Sequence, residues 1–360
     1  MTEELTGHEA TTTEPVDGPG ASDEHAWTRR TGRNVAALAV ARGATAVLSL
    51  VITAYLTRTL APEAFGLLGF GTALLSYFTL VVKLGFDTLG TRDVAREPSR
   101  AATLAGQITG LKLVLAVGAY AAFLGLAFVL PGGPELRRVL AVLGGMLFAH
   151  ALSVEWVYQG LERLGLVAVR NVAMAMLHLV AVLLLVHTPG DVVWAAAAAT
   201  GAMIVLNGWL LATLVRDLGR LRLDVRPAAW RALVPPALPI AASTFMIAVY
   251  YNLDQVMLGL LRSEAEVGLY AAGARALTAA LMPAMVLIQA FFPTLSGAWG
   301  DLEATRARMR VFASAMIPIG IPLGVAAALL ARPLLVLFAG EAFAPGAPAF
   351  AILMANASLV

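Results

Sequence analysis

The chain contains no cysteine, and charged residues fill only 13% of its 360 positions. The first absence excludes disulfides, thiolate metal sites and a cysteine nucleophile. The second excludes an ordinary water-soluble domain, in which about a quarter of the residues are charged. Neither sign of charge dominates: 25 Lys and Arg stand against 23 Asp and Glu. So small an excess gives no footprint for nucleic acid. No phosphate-binding loop, dinucleotide glycine pattern or nucleophile elbow occurs in a polar context, so the chain itself hydrolyses no nucleotide. What abounds is apolar surface, with 59% hydrophobic residues and a mean hydropathy of +0.79. At about 20 residues per crossing, that suffices for roughly ten membrane helices. No extramembrane catalytic domain fits beside them, and the chain reads as a non-enzyme without metal or cofactor.

Residues 1–28 hold seven acidic groups, no Lys or Arg, and few large apolar side chains. Such a segment buries too little surface to offset its ordering entropy, and 1–33 reads as a disordered tail. It is no signal peptide, because Arg29, Arg30 and Arg33 abut an apolar stretch too long to be cleaved away. That stretch, 34–60, is the first crossing. Eight more follow at about 65–86, 104–130, 137–158, 165–187, 191–214, 236–261, 268–292 and 310–331, with a tenth opening near 345. The chain stops within the tenth and reads as truncated.

The connecting segments alternate in charge. With the N-terminus inside, sixteen arginines fall on the cytoplasmic side and five on the outer side: Arg58, Arg137, Arg138, Arg262 and Arg332. This is a positive-inside pattern, and it supports the helix count, since removing one crossing would scramble it. The richest basic segment lies within 216–235 and divides an N-terminal lobe, 34–215, from a C-terminal lobe, 236–360. Contact with anionic lipid is an equal use for those arginines. An internal repeat agrees with the division. Gly66-Leu67 and Gly71 recur as Gly268-Leu269 and Gly273, each at an offset of 202 and each after an acidic turn, at Glu63 and Glu264. Six crossings separate the copies, so both face the same way, as a parallel repeat about an axis along the membrane normal. The expected fold is all-α and membrane-embedded, with two six-helix lobes around a central cavity and the second lobe incomplete.

Four cations fall inside the crossings, where a charge costs about 2.5–3.5 kcal/mol on insertion scales. Arg42 lies roughly 12 Å from the inner end of the first crossing, and Arg275 roughly 10 Å from the outer end of the eighth. Each is open to two readings: pairing with a carboxylate or backbone carbonyls, or lining a cationic cavity for an anionic substrate. Lys83 precedes Asp87 by one turn, so a local pair competes there with the cavity reading. Lys112 is expected to snorkel to the cytoplasmic interface. Among the acids, Glu155 beside Trp156 and Tyr158 reads as an interface anchor. Asp254, beside Asn252 and Gln255, either caps locally or binds a coupling ion. His150 and His178 lack a metal-ligand partner one turn away and read as packing residues.

Four ordered segments carry a family likeness. WVYQGLERLGLVAVRNV (156–172), LGFDTLGTRDVAR (84–96), YYNLDQVMLGLLRSEAEVGLYAAGARAL (250–277) and LFAGEAFAPGAPAFAIL (337–353) resemble polysaccharide-unit flippases of the Wzx type. These belong to the multidrug/oligosaccharidyl-lipid/polysaccharide export superfamily. The resemblance implies a multi-pass protein of the bacterial cytoplasmic membrane whose central cavity alternates its opening. The implied substrate is an undecaprenyl-pyrophosphate-linked oligosaccharide, with polysaccharide polymerase and glycosyltransferases as neighbours. The cationic cavity then maps onto Arg42, Lys83 and Arg275, and a polar or ion-coupling role onto Asp254, Asn252 and Asp87. The alternatives are a drug or cation exporter of the same superfamily, which calls for acidic cavity residues, and a membrane glycosyltransferase or polymerase, which calls for a large acidic loop.

Overall fold

The computed structural model describes residues 21–219, 221–296 and 302–357. No strand occurs among the described residues. The α-helices are α1 (Ala21–Thr59), α2 (Pro62–Lys83), α3 (Phe86–Arg96), α4 (Ala101–Val129), α5 (Pro134–Gly144), α6 (Met146–Ala151), α7 (Glu155–Gly160), α8 (Leu164–Leu185), α9 (Val192–Leu218), α10 (Pro227–Leu261), α11 (Glu264–Ser296), α12 (Leu302–Leu329), α13 (Ala331–Ala339) and α14 (Ala347–Ala357). Seven helical stretches among the described residues are long and apolar enough to cross a membrane: Val40–Thr59, Pro62–Arg96, Pro98–Val129, Pro134–Gly160, Leu164–Leu185, Pro189–Leu218 and Trp230–Leu261. They match the first seven expected crossings in order. The eighth and ninth are helical as α11 and α12 without joining that set, and α14 stands where the tenth opens.

Two boundaries differ from the sequence reading. Helix α1 starts at Ala21, before the expected 34. Residues 1–20 of the expected tail lie outside the described residues. Helix α10 starts at Pro227 rather than 236, because proline in the first turn gives up a donor that has no partner there anyway. What remains of the expected linker is a short extended strap. It lies on α4, where the Asp224 N–H donates to the Gly106 carbonyl at 3.3 Å. Glycine makes this seat: a Cβ on Gly110 would come 2.7 Å from the Asp224 carbonyl, and one on Gly106 would collide with that of Arg222.

The end carrying the α1–α2 turn is called here the Leu60 face, and the opposite end the Arg96 face. One buried apolar cluster joins both halves toward the Leu60 face, including Leu56, Phe65, Phe123, Leu140, Ala272, Leu335 and Phe343. A second, with Phe86, Leu89, Ile108, Trp156 and Leu214, lies toward the Arg96 face. From the second half, α10 alone enters it among the described residues, through Leu233 and Ala237. Further ties at the Leu60 face are the edge-on ring pair Phe65–Phe343, at 5.8 Å, and the Arg58 guanidinium donating to the Leu337 carbonyl at 2.6 Å.

The repeat read from the sequence meets itself at this face. A Cβ on Gly66 would collide with the Glu264 carbonyl and lie 2.9 Å from the Gly268 nitrogen. A Cβ on Gly268 would collide with the Pro62 carbonyl and lie 3.1 Å from the Gly66 nitrogen. Pro62 and Glu264 are themselves 202 residues apart, so the contact is isologous: each member touches the equivalent of what its counterpart touches. That reciprocity marks a two-fold relation between α2 and α11. The fold is an all-α membrane fold of two parallel-repeat lobes.

Candidate functional site

Around that two-fold the packing is unequal. Helix α10 lies along α2, with Gly259 against the Phe70 ring and Gln255 over Gly69. Helices α1 and α11 diverge instead and leave a cavity of about 240 Å³. Its wall takes Ser49 and Thr53 from α1, Phe65 and Thr72 from α2, His178 from α8 and Arg275 from α11. Most of the remaining lining is aliphatic. The Thr53 hydroxyl donates to the Ser49 carbonyl at 2.8 Å and that of Thr72 to Gly69 at 2.9 Å, which leaves their oxygens able to accept. His178 has a buried Nε2 without a partner.

Arg275 is the one charged residue of this wall. It is exposed where it lines the cavity, and among the described residues it makes no hydrogen bond or ion pair. A guanidinium keeps its charge at any accessible pH, so the cavity holds a fixed, uncompensated cation with five donors. Arg42 is exposed on α1 and is not part of the wall. It sits seven residues, roughly 10 Å along the helix axis, before Ser49.

Lys83 belongs to a separate cluster. Leu84 and Gly85 adopt positive φ values of 40° and 77°, and this ends α2 and begins α3 at an angle. Lys83 and Asp87 therefore flank a break between two helices, and the Lys83 Nζ stands 3.7 Å from one Asp87 oxygen. The other oxygen accepts a short charged hydrogen bond from Lys112. Lys112 does not snorkel: its side chain is 0% exposed, because it points across to α3, where a carboxylate waits, rather than along α4 to the interface. His150 lies within electrostatic range of all three groups.

Nor is Glu155 a simple interface anchor. It accepts from Gln159 at 3.2 Å and lies 3.6 Å from Arg170, whose side chain is 6% exposed. Arg170 donates to Asn171 at 2.6 Å and to Asn207, and the Asn207 amide donates to the Ala149 carbonyl at 2.7 Å. The sequence reading counted Arg170 among the cytoplasmic arginines. The signal for its burial was Asn207, an amide in an otherwise apolar stretch of α9. Asp254 accepts from the Tyr270 hydroxyl and from the Gln255 N–H at 2.7 Å, and no Lys or Arg pairs with it among the described residues. Asn252 donates to the Ala248 carbonyl of its own helix at 3.0 Å. The residues proposed from sequence thus fall into four places: Arg275 in the cavity, Arg42 on α1 outside its wall, Lys83 and Asp87 at the α2–α3 break, and Asp254 and Asn252 on α10.

A bundle with this repeat, this all-helical membrane architecture and a charged cavity between its halves is a transporter fold. The polysaccharide biosynthesis protein family matches residues 31–299, and the chain belongs to that family. It is similar to a protein of Escherichia coli (strain K12) named as an O-antigen transporter, with 24% identity over 272 residues, which is 73% of this chain and 64% of that protein. A protein of the same name from Shigella dysenteriae is 26% identical over 45% of this chain and 41% of its own length. The chain thus spans less than two thirds of the length of these relatives. Among solved structures, an inward-facing multidrug resistance transporter of the MATE family, in the MOP superfamily, aligns with a TM-score of 0.63 at 15% identity, covering 88% of this chain and 80% of its own. A MOP superfamily transporter from Pyrococcus furiosus aligns at 0.50, also with 15% identity, covering 91% and 81%. These likenesses show the fold.

Proposed function

We propose that the chain belongs to a flippase that carries oligosaccharide units linked to undecaprenyl pyrophosphate across the bacterial cytoplasmic membrane for surface polysaccharide synthesis. The observation that carries this reading is Arg275, a cation inside a membrane bundle, in a cavity, with no acid beside it among the described residues. An unpaired guanidinium in such a place is expensive, and a pyrophosphate would give it the forked contacts it lacks. The aliphatic remainder of the wall suits the lipid portion, and the back-bonded hydroxyls of Thr53 and Thr72 can accept from sugar hydroxyls. Relatives named for O-antigen transport support the same substrate class.

In this reading the N-terminus is cytoplasmic, residues 34–215 and 236–360 form the two lobes, and alternating access proceeds by rocking one against the other. Lys83 and Arg42 serve as further cations on the path toward the Arg96 face. Asp254, a carboxylate without a basic partner, is the candidate for ion coupling, whereas Asp87 is occupied by lysine. That lone acid is also what favours the second reading, an ion-coupled exporter. Polymerase and glycosyltransferases of the same pathway are the proposed protein neighbours.

In the full-length protein, Arg275→Ala is expected to abolish export of surface glycan at unchanged protein level. Arg275→Lys should keep part of it if charge alone matters, and little if the forked contact matters. Full export by Arg42→Ala/Arg275→Ala would remove the proposal.

A further inference from the structure

Asp87 has two carboxylate oxygens, and its two lysines use them unequally. Lys112 holds one through a direct hydrogen bond from a fully buried position on α4. Lys83 stands 3.7 Å from the other, beyond hydrogen-bond reach, with 40% of its side chain exposed. Glu155 is paired with Arg170 instead, and no acid other than Asp87 pairs with either lysine among the described residues. Two ammonium groups thus share one carboxylate, and the surplus positive charge sits on Lys83, the more exposed of the two lysines. The helix break beside Lys83 is pressed against the second half, with Ala237 and Ile240 of α10 crowding Gly85.

We infer that Lys112 is a positioning residue which keeps Asp87 engaged, so that Lys83 presents its ammonium to a phosphate oxygen of the transported lipid. Lys112 never meets the substrate. Without it, Asp87 would close on Lys83 and neutralise it, and the exposed cation would be lost even though Lys83 remained in place. The inference rests on the reading of Lys83 as an anion ligand and adds to it the group that sets its availability. The shared ligand chemistry is a phosphate oxyanion, whether borne by a polyprenyl pyrophosphate or free in solution.

The test is binding to the full-length protein in nanodiscs of neutral lipid, with undecaprenyl pyrophosphate in one arm and inorganic pyrophosphate in the other, and a thermal melt of each variant. A lost charged hydrogen bond corresponds to about tenfold to a hundredfold weaker binding. Lys112→Met is expected to weaken binding of the lipid by that factor, and Asp87→Asn/Lys112→Met to restore it to within about threefold, since the double variant frees Lys83 again. Adding Lys83→Met to the double variant should weaken it once more. A response in the lipid arm alone identifies the lipid-borne phosphate, and a parallel response in both arms identifies any oxyanion. A structural role for Lys112 makes no such rescue: if the double variant binds as weakly as Lys112→Met, or if Lys112→Met binds as the wild type while Lys83→Met does not, the inference is overturned on its own. Wild-type affinity in both Lys83→Met and Arg275→Ala instead overturns the functional reading beneath it.

Discussion

Replacing Gly66 with alanine is the sharpest perturbation the fold offers. The added methyl would occupy the site of the Glu264 carbonyl, with the Gly268 nitrogen 2.9 Å away. Overpacking of a tight contact costs about 1–3 kcal/mol. Here the obstructing atoms are backbone of the facing helix, so no rotamer change relieves the clash and the upper end applies. About 3 kcal/mol is worth roughly a hundredfold in a two-state equilibrium, against the state in which the Leu60 face is shut. Because the chain has no cysteine, Glu63→Cys and Ser263→Cys can carry a spin-label pair across α2 and α11 without background labelling. The expected result is a short distance in the parent, and a longer, broader distribution with Gly66→Ala and equally with Gly268→Ala. Gly118→Ala, where nothing lies within 4 Å of the new methyl, should leave the distribution unchanged. If Gly66→Ala keeps the parent distance and the parent melting temperature, the isologous glycine contact is not what shuts this face.

Three further outcomes are expected. Gly106→Leu should unseat the strap from α4, read as faster tryptic cleavage after Arg222 with the helical content intact. Asp224, outside the membrane segments, has its carboxyl held down to about 2 by hydrogen bonds from the Arg226 side chain and backbone. A depressed carboxylate stabilises above its ordinary range and loses that contribution as pH falls through the lowered value. Hydrogen-exchange protection of the strap should therefore persist down to about pH 4 and fall toward about pH 2, and Asp224→Asn should lack this step. Asn207→Ala strips a partner from both the buried Arg170 and the Ala149 carbonyl, and should cost about 1–3 kcal/mol in thermal or denaturant unfolding; an unchanged stability would contradict the network.

Hydropathy made the first seven crossings legible, because totals over a 20-residue window do not depend on which way each side chain points. The repeat was legible for a related reason: Gly66 and Gly268 sit where two backbones touch, and only glycine fits there. Arg275 stood out by depth alone. Partnerships were less readable. The Lys83–Asp87 neighbourhood follows from one-turn spacing, but its looseness comes from the positive φ at Leu84, which nothing in the local sequence announces. Lys112 and Asp87 are 25 residues apart, and Arg170 and Asn207 are 37. Their meeting depends on the rotation of four helices, α3, α4, α8 and α9, about their axes, a quantity that windowed hydropathy averages away. The sequence reading joined Arg42, Lys83 and Arg275 in one cationic cavity; of the three, Arg275 lines the cavity between α1 and α11.

The central claim is that a cavity cation without an acid partner receives a phosphorylated lipid headgroup. Its most direct test is leaflet transfer of a fluorescent undecaprenyl-pyrophosphate-linked oligosaccharide in proteoliposomes of the full-length protein, comparing the parent with Arg275→Ala. The account predicts parental transfer and a background rate for the variant, with equal reconstitution of both. Transfer by Arg275→Ala at the parental rate would contradict it.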